Sequence, residues 1–384
     1  MVSTIAGLQA IAEGLETTGE IEHLKTPGFD AAREHFPGRR HVTEQRGRRR
    51  APGCGIVPNR VSIAAIVLPH GGLRVGVRFR RIGLGLVVLA VLGAVGTGGV
   101  SLYVGWHLTH PARRPIRRTP AALGLPFHRI RFASRVDHLR LRGWLLPARG
   151  RHARGLVIEA HGYKENRDSE PPSLPVAAAL HRAGFTVLMF DFRDEGRSPG
   201  REVTVGLYEQ RDLLGAVDYA RKLGYRRIGI IGYSMGASTA LEVAGTDPAV
   251  RAVVADSPYA DLSRLLRNHL TFWSHLPAWP FTPEIIWELR TFLGLHPGRA
   301  DPLHDLRHAG KLPILLIAGT ADRTVPVRNS HWLYRELERE HDPNAKLWIV
   351  RGAKHVGAYL LRPKAYLHRV TGFFHKYLGR PGSN

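Results

Sequence analysis

The stretch Gly232-Tyr233-Ser234-Met235-Gly236 decides how the rest of this chain is interpreted. It follows an apolar run at residues 228–231 and precedes a helix-like run at residues 237–244. A strand, a Gly-x-Ser-x-Gly turn and a helix form a nucleophile elbow, a sharp turn that lifts the serine hydroxyl clear of the backbone. The two glycines fit this interpretation because side chains at their positions would crowd the turn. An ordinary strand-to-helix turn with a capping serine is the alternative, and it requires no partner acid or histidine downstream.

Short apolar runs alternate with helix-like runs along most of the chain. The strand-like runs are residues 127–132, 139–146, 155–160, 186–190, 228–231, 250–255, 313–318 and 346–350. The helix-like runs are residues 174–183, 207–223, 237–244, 327–340 and 365–377. The first two strands read as a hairpin, and the later ones are separated by helices. This pattern predicts an α/β fold with a mostly parallel sheet covered on both faces.

Two residues downstream supply the partners that an activated serine needs. Asp322 lies in a loop after the strand at residues 313–318, and His355 lies in a loop after the strand at residues 346–350. The carboxyl ends of parallel strands meet at one edge of a sheet, so both residues fall at the same edge as Ser234. We predict that His355 acts as the general base and that Asp322 orients it.

The same edge supplies the remaining candidates. An oxyanion hole needs two backbone N–H groups, for which we predict Met235, directly after the serine, and Tyr163, in the loop after the strand at residues 155–160. His161, in that loop, is interpreted as a structural brace. Asp256 is the rival acid, but a structural role in its loop is favoured.

These motifs occur in the order seen in proteins of the α/β-hydrolase fold: His161-Gly162, Asp191-x-Arg193-x-x-Gly196-x-Ser198, Gly232-x-Ser234-x-Gly236, Gly319-x-x-Asp322 and Gly352-x-x-His355. Within that superfamily the chain resembles membrane-anchored bacterial serine hydrolases of the serine aminopeptidase/monoglyceride-lipase-like group, over residues 127–377. The resemblance implies an eight-stranded, mostly parallel sheet, a Ser-Asp-His triad and an inserted cap. One loop departs from the group: residues 193–196 read Arg-Asp-Glu-Gly where Arg-Gly-His-Gly is common.

A second organising feature is the run at residues 82–106, which contains no charged residue. A helix of this length spans roughly 37 Å at ~1.5 Å per residue, against about 30 Å of membrane hydrocarbon. Tyr103 and Trp106 stand at one end, as in an interfacial aromatic belt. We predict a single transmembrane helix, in preference to a cleaved signal peptide or a buried helix. The flanking arginines tie in number, but the set before the run lies closer to it, which favours a catalytic domain on the extracytoplasmic side.

The other domain boundaries follow from composition. Residues 1–73 mix glycine, proline and charge, and are predicted to be a disordered basic tail or to precede the true start of the chain. Residues 107–126 are predicted to be a proline- and arginine-rich linker, and residues 127–380 a hydrolase domain. Residues 261–306 interrupt the alternation with aromatics and prolines, and are predicted to form a small helical cap. The cap aromatics either line an apolar pocket or pack the insert onto the core.

The charge and the cysteine content limit the partners and the kinds of site that are expected. The formal net charge is +23, but the arginines are scattered and no nucleic-acid-binding motif occurs, so a membrane surface is the favoured partner. The one cysteine, Cys54, excludes an intramolecular disulfide and a cysteine-based metal cluster. We expect neither a metal nor a cofactor.

Together these features predict a membrane-anchored serine hydrolase that cleaves a small-molecule or lipid carboxylic ester through an acyl-enzyme. A thioesterase and a serine peptidase or aminopeptidase are the enzymatic alternatives. An aminopeptidase would need acids to bind a free amino terminus, for which Glu284 and Glu288 are the candidates in the cap. A non-catalytic binding protein of the same fold is the remaining alternative. The substrate and the oligomeric state are left open.

Overall fold

A computed structural model of the protein describes residues 73–148 and 155–379, with side chains from residue 79 onward. The predicted N-terminal tail lies outside these residues except for Leu73. In the described part, the strands are β1 (His128–Ala133), β2 (Arg140–Leu146), β3 (Leu156–Ala160), β4 (Thr186–Phe190), β5 (Ile228–Tyr233), β6 (Val250–Asp256), β7 (Ile314–Gly319) and β8 (Lys346–Val350). They form one sheet in the order β1-β2-β4-β3-β5-β6-β7-β8.

The sheet is mixed, with an antiparallel edge on a parallel centre. Strand β2 pairs antiparallel with both β1 and β4. The other neighbours, from β4 through β3, β5, β6 and β7 to β8, pair in parallel. A short turn can join two neighbouring strands only when they are antiparallel, whereas parallel strands need crossover connections. The prediction of an eight-stranded, mostly parallel sheet is therefore confirmed.

Helices cover both faces of this sheet. In chain order the described helices are α1 (Leu73–Thr109), α2 (Ser173–Arg182), α3 (Glu209–Lys222), α4 (Met235–Glu242), α5 (Leu262–Ser274), α6 (Phe281–Thr291), α7 (Pro302–Asp305), α8 (Arg328–Arg339), α9 (Ala358–Leu361) and α10 (Pro363–Leu378). Helices α3, α4 and α8 pack on one face, and α2 and α10 on the other. Neighbouring residues of one strand, such as Ile230 and Ile231, enter opposite cores. This is why the central strands are apolar at almost every position.

The segment between β6 and β7 forms a small helical unit, which we call the cap, from α5, α6 and α7. It has its own apolar core, which includes Leu270, Ile285 and Leu289. Val104 and Leu108, near the end of α1, pack against that core.

Helix α1 meets the cap through a stripe of small residues. Ser101, Gly105 and Thr109 are buried at intervals of four residues, so they lie on one face of the helix. A Cβ atom on Gly105 would be 3.9 Å from Ile285 and from Leu289 of α6, so the small side chains allow close approach.

The first part of α1 has no such partner. Every side chain from residue 79 to residue 96 is exposed. Phe79–Thr109 has the length and the apolarity of a membrane span, and an 18-residue stretch within it has a mean hydropathy of 2.1. The predicted apolar helix at residues 82–106 is thus present, and it extends beyond both predicted ends.

Candidate active site

Ser234 lies at the turn between β5 and α4, in a strained backbone conformation. Its φ of 51° and ψ of −114° are costly for a residue with a side chain, and the hydrogen bond from Ser234 N to Asp256 O (2.8 Å) helps to hold them. A methyl group on Gly232 would overlap the backbone of Gly236, and one on Gly236 would overlap the backbone of Ala160. The two glycines of the motif are therefore required by the close approach of the backbone.

The structure brings Ser234, His355 and Asp322 together in one chain of hydrogen bonds. His355 Nε2 lies 2.7 Å from Ser234 Oγ, and His355 Nδ1 lies 2.7 Å from Asp322 Oδ2. The Asp322 side chain is almost fully buried, and its Oδ1 also accepts the N–H groups of Thr324 and Val325, both at 2.9 Å. With Nδ1–H donating to Asp322, Nε2 is free to accept the serine proton. This geometry permits general-base activation of the Ser234 hydroxyl.

Asp256, the rival acid, is bonded elsewhere. Its carboxylate accepts the Tyr366 hydroxyl at 2.8 Å and the Ser257 hydroxyl at 3.0 Å. Burial raises the pKa of Asp256 to about 6, although both hydroxyls oppose the shift. Asp256, the last residue of β6, is thus bonded to Ser257 and Tyr366 rather than to His355.

The loop of residues 162–164 leaves one backbone donor unused beside Ser234. The Gly162 N–H donates to Glu170 Oε1 at 3.1 Å, and the Lys164 N–H donates to Glu195 Oε1 at 2.6 Å. Within the described residues, neither the Tyr163 N–H between them nor the Met235 N–H donates a hydrogen bond. A Cβ atom on Gly162 would lie 3.3 Å from the Ser234 Cβ, so this loop passes directly beside the serine. Two free N–H groups near a nucleophile are what an oxyanion hole requires.

Sequence reasoning missed the two glutamates that set up this loop. Glu170 and Glu195 are buried, and burial raises the pKa of Glu170 to about 8 and that of Glu195 well above its usual range. The departure of residues 193–196 from the common Arg-Gly-His-Gly was a signal for Glu195. Nothing in the sequence distinguished Glu170.

His161 braces the loop from within. Its Nε2 accepts the Phe192 N–H at 3.0 Å, which leaves Nδ1 to donate to Gly162 O at 2.8 Å. Burial lowers the pKa of His161 to about 4, so the ring is neutral at physiological pH. A neutral ring with both nitrogens in use has a structural role.

The end of α1 and the chain that follows it are bonded to residues 163–168, in and directly after the same loop. We call residues 108–118 the strap. The Tyr163 hydroxyl donates to Leu108 O at 2.6 Å, at the end of α1. Arg114 pairs with Glu165 at 2.7 and 2.9 Å, and the N–H groups of Arg117 and Arg118 both donate to Asp168 Oδ2 at 2.8 Å. The strap therefore fixes the loop that carries the Tyr163 N–H.

In the part of the chain that the structure describes, no three His, Cys, Asp or Glu side chains are grouped as metal ligands.

The sheet, the elbow and the cap are features of an α/β-hydrolase. The sequence profile of the prolyl oligopeptidase family matches residues 173–381, just over half of the chain. The chain belongs to this family, and it is a hydrolase of the α/β-hydrolase superfamily.

Individual proteins are also similar to this chain. YqkD of Bacillus subtilis is 32% identical over 194 residues, which are 50% of this chain and 62% of YqkD. Rv2307c of Mycobacterium tuberculosis is 28% identical over 298 residues, covering 75% of this chain and 94% of the relative. Among solved structures, the esterase Pf2001 of Pyrococcus furiosus is similar, with a TM-score of 0.59 and 29% identity over 71% of this chain and 99% of the esterase.

Proposed function

We propose that this protein is a serine hydrolase that cleaves carboxylic esters with an apolar acyl part. The observation that carries the proposal is the hydrogen-bonded chain from Ser234 through His355 to Asp322. The similarity to an esterase of 29% identity supports an ester substrate.

The geometry supports a two-step mechanism through an acyl-enzyme. Ser234 Oγ attacks the ester carbonyl carbon while His355 Nε2 takes the hydroxyl proton, and Asp322 stabilises the imidazolium. The negative charge on the carbonyl oxygen is met by the N–H groups of Met235 and Tyr163. His355 then gives its proton to the departing alcohol, which leaves an ester on Ser234. Water, activated by the same histidine, hydrolyses that ester and frees the acid.

A fluorophosphonate probe tests the serine directly, because it labels only an activated nucleophile. We expect the wild type to be labelled and Ser234→Ala not to be. Ser274→Ala, in the cap, is the matched control and keeps the label. Equal labelling of wild type and Ser234→Ala, or no labelling of folded wild type, contradicts the proposal.

A peptidase is the second candidate, because the matching family is named for an oligopeptidase. The two cap acids do not favour an aminopeptidase. Glu284 accepts the hydroxyls of Thr97 and Ser101 at 3.0 and 2.9 Å, and Glu288 Oε1 would lie 3.9 Å from a Cβ on Gly98. Both acids are thus turned toward α1. Turnover of p-nitrophenyl esters set beside aminoacyl-naphthylamides separates the candidates, and we expect the esters to be cleaved faster.

Anchoring to a membrane is part of the proposal. It is supported by the exposed, uncharged surface of α1 at residues 82–96, which at ~1.5 Å per residue is roughly 22 Å long and would cover most of the hydrocarbon thickness of about 30 Å. The arginines before the apolar run favour an inside N-terminus and an extracytoplasmic catalytic domain. Digestion of the domain by protease added to intact cells is the expected result, and protection until the cells are lysed contradicts this orientation.

A further inference from the structure

The exposed aromatic side chains of the protein are concentrated in two places. Among the described residues, the large aromatic side chains that are exposed belong to α1 or to the cap: Phe79, Tyr103, Trp106, Phe272, Trp279, Trp287 and Phe292. Trp279 is 80% exposed. We call the four in the cap (Phe272, Trp279, Trp287 and Phe292) the cap face. Contiguous exposed apolar surface on a folded protein marks a site of interaction with a protein, a ligand or a membrane.

Contacts between α1 and α6 fix the level of the cap along the apolar helix. The Glu284 carboxylate accepts the hydroxyls of Thr97 and Ser101. One turn further on, Gly105 meets Ile285 and Leu289. Helix α6 is therefore held beside the part of α1 between residues 97 and 105, well before the helix ends at Thr109.

The length of α1 then sets the level of the cap in a bilayer. Suppose that α1 enters the hydrocarbon at Ile82, the first residue after the arginines. The helix then crosses about 30 Å of hydrocarbon in ~20 residues and leaves it near Leu102. That is the level at which α6 is bound. We propose that the cap face is immersed in the interfacial layer of the bilayer, with lipid as its partner. This inference rests on the proposed role of α1 as a membrane span.

The chemistry of the cap fits that location. Residues 268–283, which carry Phe272 and Trp279, include no Asp, Glu, Lys or Arg, so inserting this stretch removes no charge from water. Trp287 and Phe292 share their stretch with Glu284 and Glu288, which are turned toward α1, and with the exposed Arg290. Tryptophan and tyrosine are the side chains that favour the boundary between hydrocarbon and headgroups. At the same level, an open groove of about 540 Å³ runs between α1 and the cap, lined by Gly99, Leu102, Tyr103, Trp106, Phe292 and Leu293. An acyl chain of a bilayer lipid matches its apolar lining.

The test uses single cysteines in the full chain with Cys54→Ser, reconstituted in phosphatidylethanolamine–phosphatidylglycerol vesicles. Trp279→Cys and Trp287→Cys report on the cap face. Leu223→Cys is the matched control, since Leu223 is 43% exposed and lies between α3 and β5, at the sheet edge opposite the cap. Each cysteine carries an environment-sensitive nitrobenzoxadiazole dye. Emission is measured with iodide in the water and with lipids that carry a nitroxide at a shallow or a deep position.

We expect blue-shifted emission at the cap positions, quenched by shallow nitroxide lipids more than by deep ones, and weak quenching by iodide. The control dye should stay sensitive to iodide and insensitive to the lipids. Flotation of each variant with the vesicles reports on anchoring separately. Protein that floats while its cap dyes are open to iodide overturns this inference and leaves the anchor standing. Cap dyes shielded from both quenchers indicate a second copy of the chain on the cap face, which also overturns it. Protein that does not float overturns both.

Discussion

Two buried aspartates near His355, Asp322 and Asp256, have different hydrogen-bond partners. Substituting each of them should therefore have a different effect. Asp322→Asn replaces the acceptor of the His355 Nδ1 proton. The ring is then no longer held in the tautomer with the proton on Nδ1, and its positive form loses its negative partner. We expect kcat to fall by about 10⁴-fold, the effect known for such a change in a serine hydrolase triad. Asp256→Asn instead disturbs bonds to Tyr366 and Ser257. Its main effect should be a loss of roughly 1–3 kcal/mol in the free energy of unfolding.

Steady-state kinetics and thermal unfolding in detergent measure both effects for the two variants. A large loss of kcat in Asp256→Asn, with Asp322→Asn near wild type, would reverse the assignment of the acid.

The buried carboxyl of Glu170 makes the stability of the protein depend on pH. Burial raises its pKa from 4.5 to about 8 in the folded protein, so the folded state holds a proton that the unfolded state has released. Its contribution to the free energy of unfolding is full below pH 4.5 and is lost as the pH rises toward 8. Glu170→Gln cannot ionise and keeps an oxygen for the Gly162 N–H. The thermal midpoint of this variant should therefore fall less than that of the wild type between pH 5 and pH 8.

Glu338→Gln is the control for this comparison, because Glu338 is an exposed glutamate on α8. Its pH profile should run parallel to that of the wild type. Parallel profiles for Glu170→Gln and wild type would show that Glu170 does not titrate between its unfolded value and about 8.

At the scale of elements, the strap links the end of α1 to the predicted oxyanion donor. The Tyr163 hydroxyl donates to Leu108 O, while the N–H of the same residue donates no hydrogen bond within the described part of the chain. Tyr163→Phe releases that bond and loosens the loop. We expect kcat to fall about tenfold, ~1.4 kcal/mol in the barrier, with KM little changed because the oxyanion forms only in the transition state.

Tyr377→Phe is the matched control, since it also removes a tyrosine hydrogen bond, to Asn344 Oδ1 at 3.2 Å, at the far end of α10. It should keep the wild-type kcat. Equal kcat values for both variants and the wild type would mean that the strap does not position the loop.

The main strands and helices could be predicted because the local pattern of apolar residues in the sequence matches the pattern of burial in the structure. The strands at Thr186–Phe190 and Lys346–Val350 were predicted to the residue, since each is a short apolar or alternating run between clear breaks. The order of the strands in the sheet could not be predicted from the sequence of any single segment. The placement of β4 between β2 and β3, for example, depends on crossover connections rather than on any one segment.

In the candidate site, too, some features could be predicted from the sequence and others could not. Ser234, Asp322 and His355 stand in loops directly after strands, so the sheet edge brings them together. The contacts of Glu170 and of Leu108 with the loop at residues 162–164 join distant segments, and no motif marks them. The proline- and arginine-rich composition at residues 107–126 likewise gave no sign that Arg114, Arg117 and Arg118 bond to Glu165 and Asp168, directly after that loop.

At the scale of the whole molecule, α1 has two parts with different partners. Residues 79–96 are exposed throughout, whereas the later stripe is buried against the cap and continues into the strap. The apolar helix thus contacts the cap core through Val104 and Leu108, and Leu108 O accepts a hydrogen bond from Tyr163 in the loop of residues 162–164. The proposed membrane anchor and the proposed catalytic geometry therefore share one continuous helix.

Two truncations separate these parts. A chain starting at residue 97 loses the exposed half of α1 but keeps the hydroxyls that bind Glu284, the buried stripe and the strap. It should fold and react with a fluorophosphonate at close to the wild-type rate. A chain starting at residue 127 also loses Val104 and Leu108 from the cap core and every strap bond to the loop. Its thermal midpoint and its labelling rate should both fall, because apolar cap residues become exposed and the loop that carries the Tyr163 N–H is no longer held. Labelling at the same rate by both truncations would show that the hydrolase domain is complete without α1.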